Sequence, residues 1–268
     1  MTDRKRQPIG VFDSGLGGLT VLKSLKENMP NESFIYFGDT AHVPYGSKSK
    51  EAVIGYSEHI SNFLVGQKVK LIIIACNTAS AVAADHLQKI NDIPIFEVVI
   101  PCIEAAVSQT STNNIGIIGT QATISSGIYS RRFKELASHI HTYEKACPLF
   151  VPLAEEGWAE TPTAMEIAKI YLSDLIQKNI DTLVLGCTHY PLLYKMLRDV
   201  LGDDVILVSS GSPVARVVSD YLYQNKLQND SVSTSESFYV TDYPQKFDVL
   251  GSRFLGHKLT NVHHISLT

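Results

Sequence analysis

Two of the four cysteines in this 268-residue chain stand where a thiol can do acid–base work. Cys76 follows the apolar run LIIIA at 71–75 and precedes Asn77-Thr78, while Cys187 follows LVLG at 183–186 and precedes Thr188-His189. Both contexts predict a buried strand that ends in a cysteine, with small polar residues and a helix beyond. A thiol at a helix N-terminus faces unpaired N–H groups and the positive end of the dipole, and both favour thiolate. Lowered from its ordinary value near 8.5, such a thiol becomes a usable base. Two of them, on opposite sides of one tetrahedral carbon, suffice for two-base racemisation, in which one thiolate removes a proton and the other thiol delivers one to the opposite face. Cys102 and Cys147 adjoin Pro101 and Pro148 and lack the polar flank. They read as small buried hydrophobes, as most free cysteines are.

Other polar clusters fall at expected strand ends. Asp13-Ser14-Gly15-Leu16-Gly17-Gly18 follows the first apolar run. A glycine-rich strand-to-helix turn cradles anions on backbone N–H groups, and Asp39 lies about 20 residues further on, as a ribose-binding acid does in dinucleotide folds. The match is imperfect, because Thr20 stands where a third small residue belongs. Carboxylate binding and proton relay by Asp13 and Ser14, or a bare tight turn, compete with the nucleotide reading. The loop Asp39-Thr40-Ala41-His42-Val43-Pro44-Tyr45-Gly46 offers Tyr45 and its backbone to a ligand. His189, two residues past Cys187, can tune the thiol or polarise a carboxylate, and Glu155-Glu156 follow a further apolar run, PLFVPL at 148–153. Cys187 and His189 lack the third and fourth ligands of a tetrahedral site, so no metal is expected.

The elements that must position these residues are legible as continuous apolar runs at 9–12, 33–37, 70–75, 94–99, 114–119, 148–153, 181–186 and 204–209. Runs without alternation predict strands buried on both faces, hence parallel sheets covered by helices. Helical periodicity appears between them, in 50–64, 164–177 and 213–224, giving an α/β architecture. Gln224–Ser237 is polar and reads as an exposed loop, with a late strand in SFYVTD beyond it. The two strand–cysteine junctions, each preceded by an Ile-Gly strand opening (Ile9-Gly10 and Ile115-Gly116), suggest two similar units. Ligands bind beyond the carboxyl ends of strands in such sheets, which puts both cysteines on the ligand side.

With 44% hydrophobic residues the chain can bury a real core, and a net charge of -4 argues against nucleic acid as partner. Four scattered cysteines make no disulfide framework. Arg4-Lys5-Arg6 is not followed by the apolar stretch of a signal peptide, and no run approaches the roughly 18 residues of a membrane span. A cytoplasmic protein acting on a small molecule is expected.

The segments DSGLGGLTV at 13–21, YFGDTAHVPYGSKS at 36–49, ACNTASA at 75–81 and LGCTHYPLL at 185–193 together resemble bacterial glutamate racemases, within the wider family of aspartate, glutamate and hydantoin racemases. The resemblance runs through nearly the whole chain. It implies interconversion of L- and D-glutamate without a cofactor, supplying D-glutamate for peptidoglycan. It also implies two pseudosymmetric α/β domains with mainly parallel sheets and the active site in the cleft between them. By the same resemblance residues 1–98 would form the first domain, completed by 210–268, and 99–209 the second. The resemblance assigns Cys76 to D-glutamate and Cys187 to L-glutamate, assisted by Asp13 and His189 respectively, with Glu155 as a further assisting acid. By the same resemblance Asp13, Ser14, Tyr45, Gly46, Asn77, Thr78, Thr188 and His189 would hold the substrate. His42 stands where the family often has arginine, and a homodimer is expected. Aspartate racemase is the near alternative. A thiol hydrolase using one cysteine with His189, and a non-catalytic amino-acid-binding module, are the distant ones.

Overall fold

The computed structural model describes residues 4–231 and 233–266. The chain divides into two compact units, one comprising Met1–Val98 and Gly211–Thr268, the other Val99–Ser210. In the first, β1 (Ile9–Asp13), α1 (Leu19–Asn28), β2 (Phe34–Gly38), α2 (Lys50–Gly66), β3 (Leu71–Ile74), α3 (Asn77–Ile90) and β4 (Ile95–Glu97) alternate. The second contains α4 (Val99–Gln109), β5 (Asn114–Gly119), α5 (Gln121–Ser125), α6 (Ile128–Leu136), β6 (His141–Ala146), α7 (Phe150–Glu155), α8 (Pro162–Ile176), β7 (Thr182–Gly186), α9 (Tyr194–Leu201) and β8 (Ile206–Ser209). The chain then returns to the first unit with α10 (Gly211–Gln224), β9 (Glu236–Val240), α11 (Pro244–Leu255) and β10 (Val262–His264).

The sheet of the first unit has the order β10-β9-β2-β1-β3-β4 and that of the second β6-β5-β7-β8. Every pairing is parallel. Without β9 and β10, the two orders are the same arrangement, with β1 equivalent to β5 and β3 to β7. All residues of β1, β2, β3 and β7 are buried, as unbroken apolar runs require of strands covered on both faces. Helix starts follow the sequence chemistry. Ser49, Thr120 and Thr161 cap α2, α5 and α8 by accepting the N–H three residues on. Below the first sheet, the buried Lys70 ammonium is held by the Glu32 carboxylate and by the carbonyls of Lys5 and Leu227.

One expected strand is a helix. PLFVPL at 148–153 does not join a sheet, and Phe150–Glu155 forms α7 instead. Pro148 and Pro152 cannot donate to a strand ladder, whereas the first turn of a helix tolerates proline. The strand that does pair there, HTYEKA at His141–Ala146, is an edge strand bonded to β5 alone and only partly buried. Its polar residues hide it from a scan for apolar runs. The stretch Gln224–Ser237 is mostly irregular up to Glu236, where β9 begins, and Val232 lies outside the described residues.

Candidate active site

In a sheet of order 2-1-3, the connections leaving the first and third strands run to opposite sides, and their carboxyl ends bound the natural binding crevice. In the first unit those ends carry Asp13, the last residue of β1, and Cys76, just past β3. The Asp13 carboxylate is fully buried and accepts the Gly15 N–H at 2.9 Å. The Cys76 thiol donates to the Ser14 hydroxyl at 3.7 Å and caps α3 by accepting the Ala79 N–H at 3.5 Å. Asn77 and Thr78, buried, form the first turn of α3. This much of the expected cluster is brought together on one sheet edge.

The expected lowering of the Cys76 pKa is overturned. Burial, followed by the charge of Asp13, pushes the thiol up to about 12, and the Ala79 and Ser14 hydrogen bonds only partly offset this. Cys76 is 5% exposed, and desolvation of a thiolate there outweighs a few N–H and O–H donors.

The loop after β2 holds the same unit's other candidates. Asp39 is fully buried. Its carboxylate accepts the Tyr45 hydroxyl at 2.6 Å and the Thr241 hydroxyl at 2.8 Å, and it lies 2.8 Å from the His42 Nδ1. His42 also stacks on Tyr56, with ring centroids 4.1 Å apart. Asp39 is thereby an internal hub of the loop, which leaves the ribose-binding reading without a free acid. Tyr45 is 1% exposed and packs in the same apolar cluster as Cys76. Its hydroxyl is taken by Asp39, and half-buried Gly46 follows it.

In the second unit Cys187 directly follows β7, the strand equivalent to β3. The helix expected next is a four-residue 3-10 turn, Tyr190–Leu193, with Pro191 near its start, and α9 begins only at Tyr194. His189 lies with Nδ1 3.9 Å from the Cys187 sulfur and Nε2 3.0 Å from the Glu155 carboxylate. The imidazole therefore sits between thiol and acid. With Nε2–H donated to Glu155, Nδ1 is left as the acceptor facing the thiol. Glu155 ends α7, in the connection equivalent to the Asp39–Ser47 loop of the first unit, although the strand expected before it is absent. The end of β5, equivalent to Asp13-Ser14, is Gly119-Thr120, with no carboxylate. One thiol thus has its acid on the neighbouring strand end, and the other reaches its acid, on α7, through His189. Thr188 is buried beside Cys187. Cys147 keeps its thiol on the Lys145 carbonyl at 3.7 Å, and burial raises it to about 12.

Residues 9–212 match the Asp/Glu/Hydantoin racemase family. The chain belongs to this racemase family. A glutamate racemase of Syntrophus aciditrophicus is 46% identical over 261 residues, spanning 97% of each chain. The crystal structure of a Francisella tularensis glutamate racemase in complex with D-glutamate superposes with a TM-score of 0.93 at 40% identity, covering 98% of each chain. A Bacillus anthracis glutamate racemase does so with 0.95 at 35% identity and the same coverage. The family and these relatives make the chain an amino-acid racemase. Among the described residues no cluster of three or more His, Cys, Asp or Glu could hold a metal ion, and no helix is long and apolar enough to cross a membrane.

Proposed function

We propose that this protein interconverts L- and D-glutamate by two-base proton transfer between Cys76 and Cys187, supplying D-glutamate for peptidoglycan in the cytoplasm. The observation that carries the reading is the equivalence of the two thiols. Each follows the same strand of a repeated sheet order, and each has its own acid within reach. Two separate racemic half-reactions need such a pair, since each thiol meets one enantiomer.

From L-glutamate, the Cys187 thiolate takes the α-proton and becomes a thiol. The electron pair left on the α-carbon is delocalised into the substrate carboxylate. Cys76, resting as a thiol, gives its proton to the opposite face and is left as thiolate. The reverse sequence converts D-glutamate. Each turnover exchanges the protonation states of the two sulfurs, and no redox step or cofactor is needed. In this reading His189, held by Glu155, takes up the Cys187 proton before L-glutamate reacts, and Asp13 serves Cys76 in the same way when D-glutamate reacts. Ser14, Gly46, Asn77, Thr78 and Thr188 supply hydroxyl, amide and backbone donors to the two carboxylates of the substrate.

The relay Glu155–His189–Cys187 is also the geometry of a hydrolytic thiol, but such an enzyme has no use for Cys76 and Asp13. Incubation with L-glutamate in D₂O without added cofactor, followed by polarimetry and NMR, is expected to show racemisation with exchange of the α-hydrogen. Cys76→Ala and Cys187→Ala are each expected to abolish racemisation, and full activity in either variant would falsify the two-thiol mechanism. Exchange with aspartate and not glutamate would reassign the substrate.

A further inference from the structure

Each half of the site rests on a fully buried tyrosine that the racemase reading leaves without a task. Tyr36, on β2, donates its hydroxyl to the Gly15 carbonyl at 2.9 Å, while the N–H of Gly15 donates to the Asp13 carboxylate at 2.9 Å. Tyr190 opens the turn after His189, its N–H bonded to the Cys187 carbonyl at 3.1 Å. Its hydroxyl donates to the Cys147 carbonyl at 2.9 Å. The same carbonyl receives the Phe150 N–H at 3.1 Å, where α7 begins. Phe150 also meets the Tyr190 ring edge-on, at 5.4 Å and 84°. Five residues later the helix delivers Glu155 to His189. A buried hydroxyl costs free energy unless it finds a partner. In both units the partner is a main-chain carbonyl in the segment that carries the acid.

Resting on the racemase reading above, we propose that Tyr36 and Tyr190 are positioning residues, one for each half-reaction: Tyr36 fixes Asp13 for Cys76, and Tyr190 fixes the Glu155–His189 pair for Cys187. Burial, and then the charges of the neighbouring thiols and, for Tyr36, Asp13, raise the titration of both phenols. Both therefore stay protonated donors throughout the pH range of activity. The tyrosines touch no substrate and act by holding a loop and a helix.

The test uses Tyr36→Phe and Tyr190→Phe, which keep the rings and remove one oxygen each. Because the two enantiomers have equal free energies, any loss of kcat/KM must be the same in both directions, and activity alone cannot tell which half is affected. The primary isotope effect of α-deuterated substrate can. Misplacing an acid costs roughly ten- to a hundredfold, so kcat/KM is expected to fall by that order in both variants with thermal unfolding midpoints near wild type. In Tyr36→Phe the slowed step belongs to Cys76, so the isotope effect rises with D-glutamate and falls with L-glutamate. In Tyr190→Phe the pattern reverses. Wild-type kcat/KM in both variants, isotope effects that stay put or move the same way in both, or loss of the folded state would overturn the proposal. Wild-type protein that racemises neither enantiomer sinks the racemase reading itself, and this proposal with it.

Discussion

Cys76 shows how far single residues can be read from their neighbours. Its candidacy as a reactive position is visible in LIIIA-Cys-Asn-Thr, because a strand end followed by a helix start announces free N–H groups. The sign of its pKa shift is not visible there, because the same pattern does not reveal how deeply the sulfur sinks or that Asp13 lies beside it. Raised to about 12, the thiol rests protonated and is set to donate a proton. Asp13→Asn removes the charge that ranks second to burial among the causes. The Cys76 midpoint is then expected to move down, read as thiolate absorbance in a variant whose other cysteines are replaced, and racemisation is expected to drop sharply. An unmoved midpoint would show that burial alone sets the value. Glu155 was legible as an acid after an apolar run, but its hold on His189 was not, since 34 residues separate them. Asp39 was legible as a strand-end acid and turned out to serve its own loop.

At the scale of elements, the continuous apolar strands were legible because double burial removes all alternation. The edge strand β6 was not, because one exposed flank lets it carry His141, Thr142, Glu144 and Lys145. Proline decided the neighbouring error, turning an apolar run into the short helix that carries Glu155. The glycine turn after β1 has a packing reason of its own. A Cβ on Gly18 would lie 2.5 Å from the Asp13 Cβ and 2.8 Å from the Tyr36 hydroxyl. Gly18→Ala is therefore expected to cost about 1–3 kcal/mol in urea denaturation, and to reduce racemisation beyond that loss, since the displaced groups are the acid and its brace. Unchanged activity in a destabilised variant would separate the turn from the chemistry.

For the whole molecule, the two cysteines raised by burial make a stability prediction with a definite sign. Cys76 and Cys147 titrate near 12 when folded and near 8.5 when unfolded. Below the lower value both states hold the proton, and the stabilising effect of burying the neutral thiol is fully present. Above it only the unfolded chain ionises, so stability falls as pH rises toward 12, by up to about 1.4 kcal/mol per unit for each thiol. Urea midpoints are expected to be flat from neutral pH to about 8 and to decline beyond. Cys147→Ala is expected to lessen the slope, and an equally steep decline in that variant would remove Cys147 from the account. The repetition of two similar units was legible from the paired Ile-Gly and cysteine junctions, whereas the strand order was not, and among the described residues the second sheet closes with β8, without counterparts to β9 and β10. Those two strands come from the last part of the chain and lie beyond β2 in the first sheet. A ribosome therefore releases the second unit's complete sequence while the first sheet still lacks its outer edge. Until β9 follows the second unit off the ribosome, the β2 edge lacks the partner it has in the folded protein and stands open to other strands.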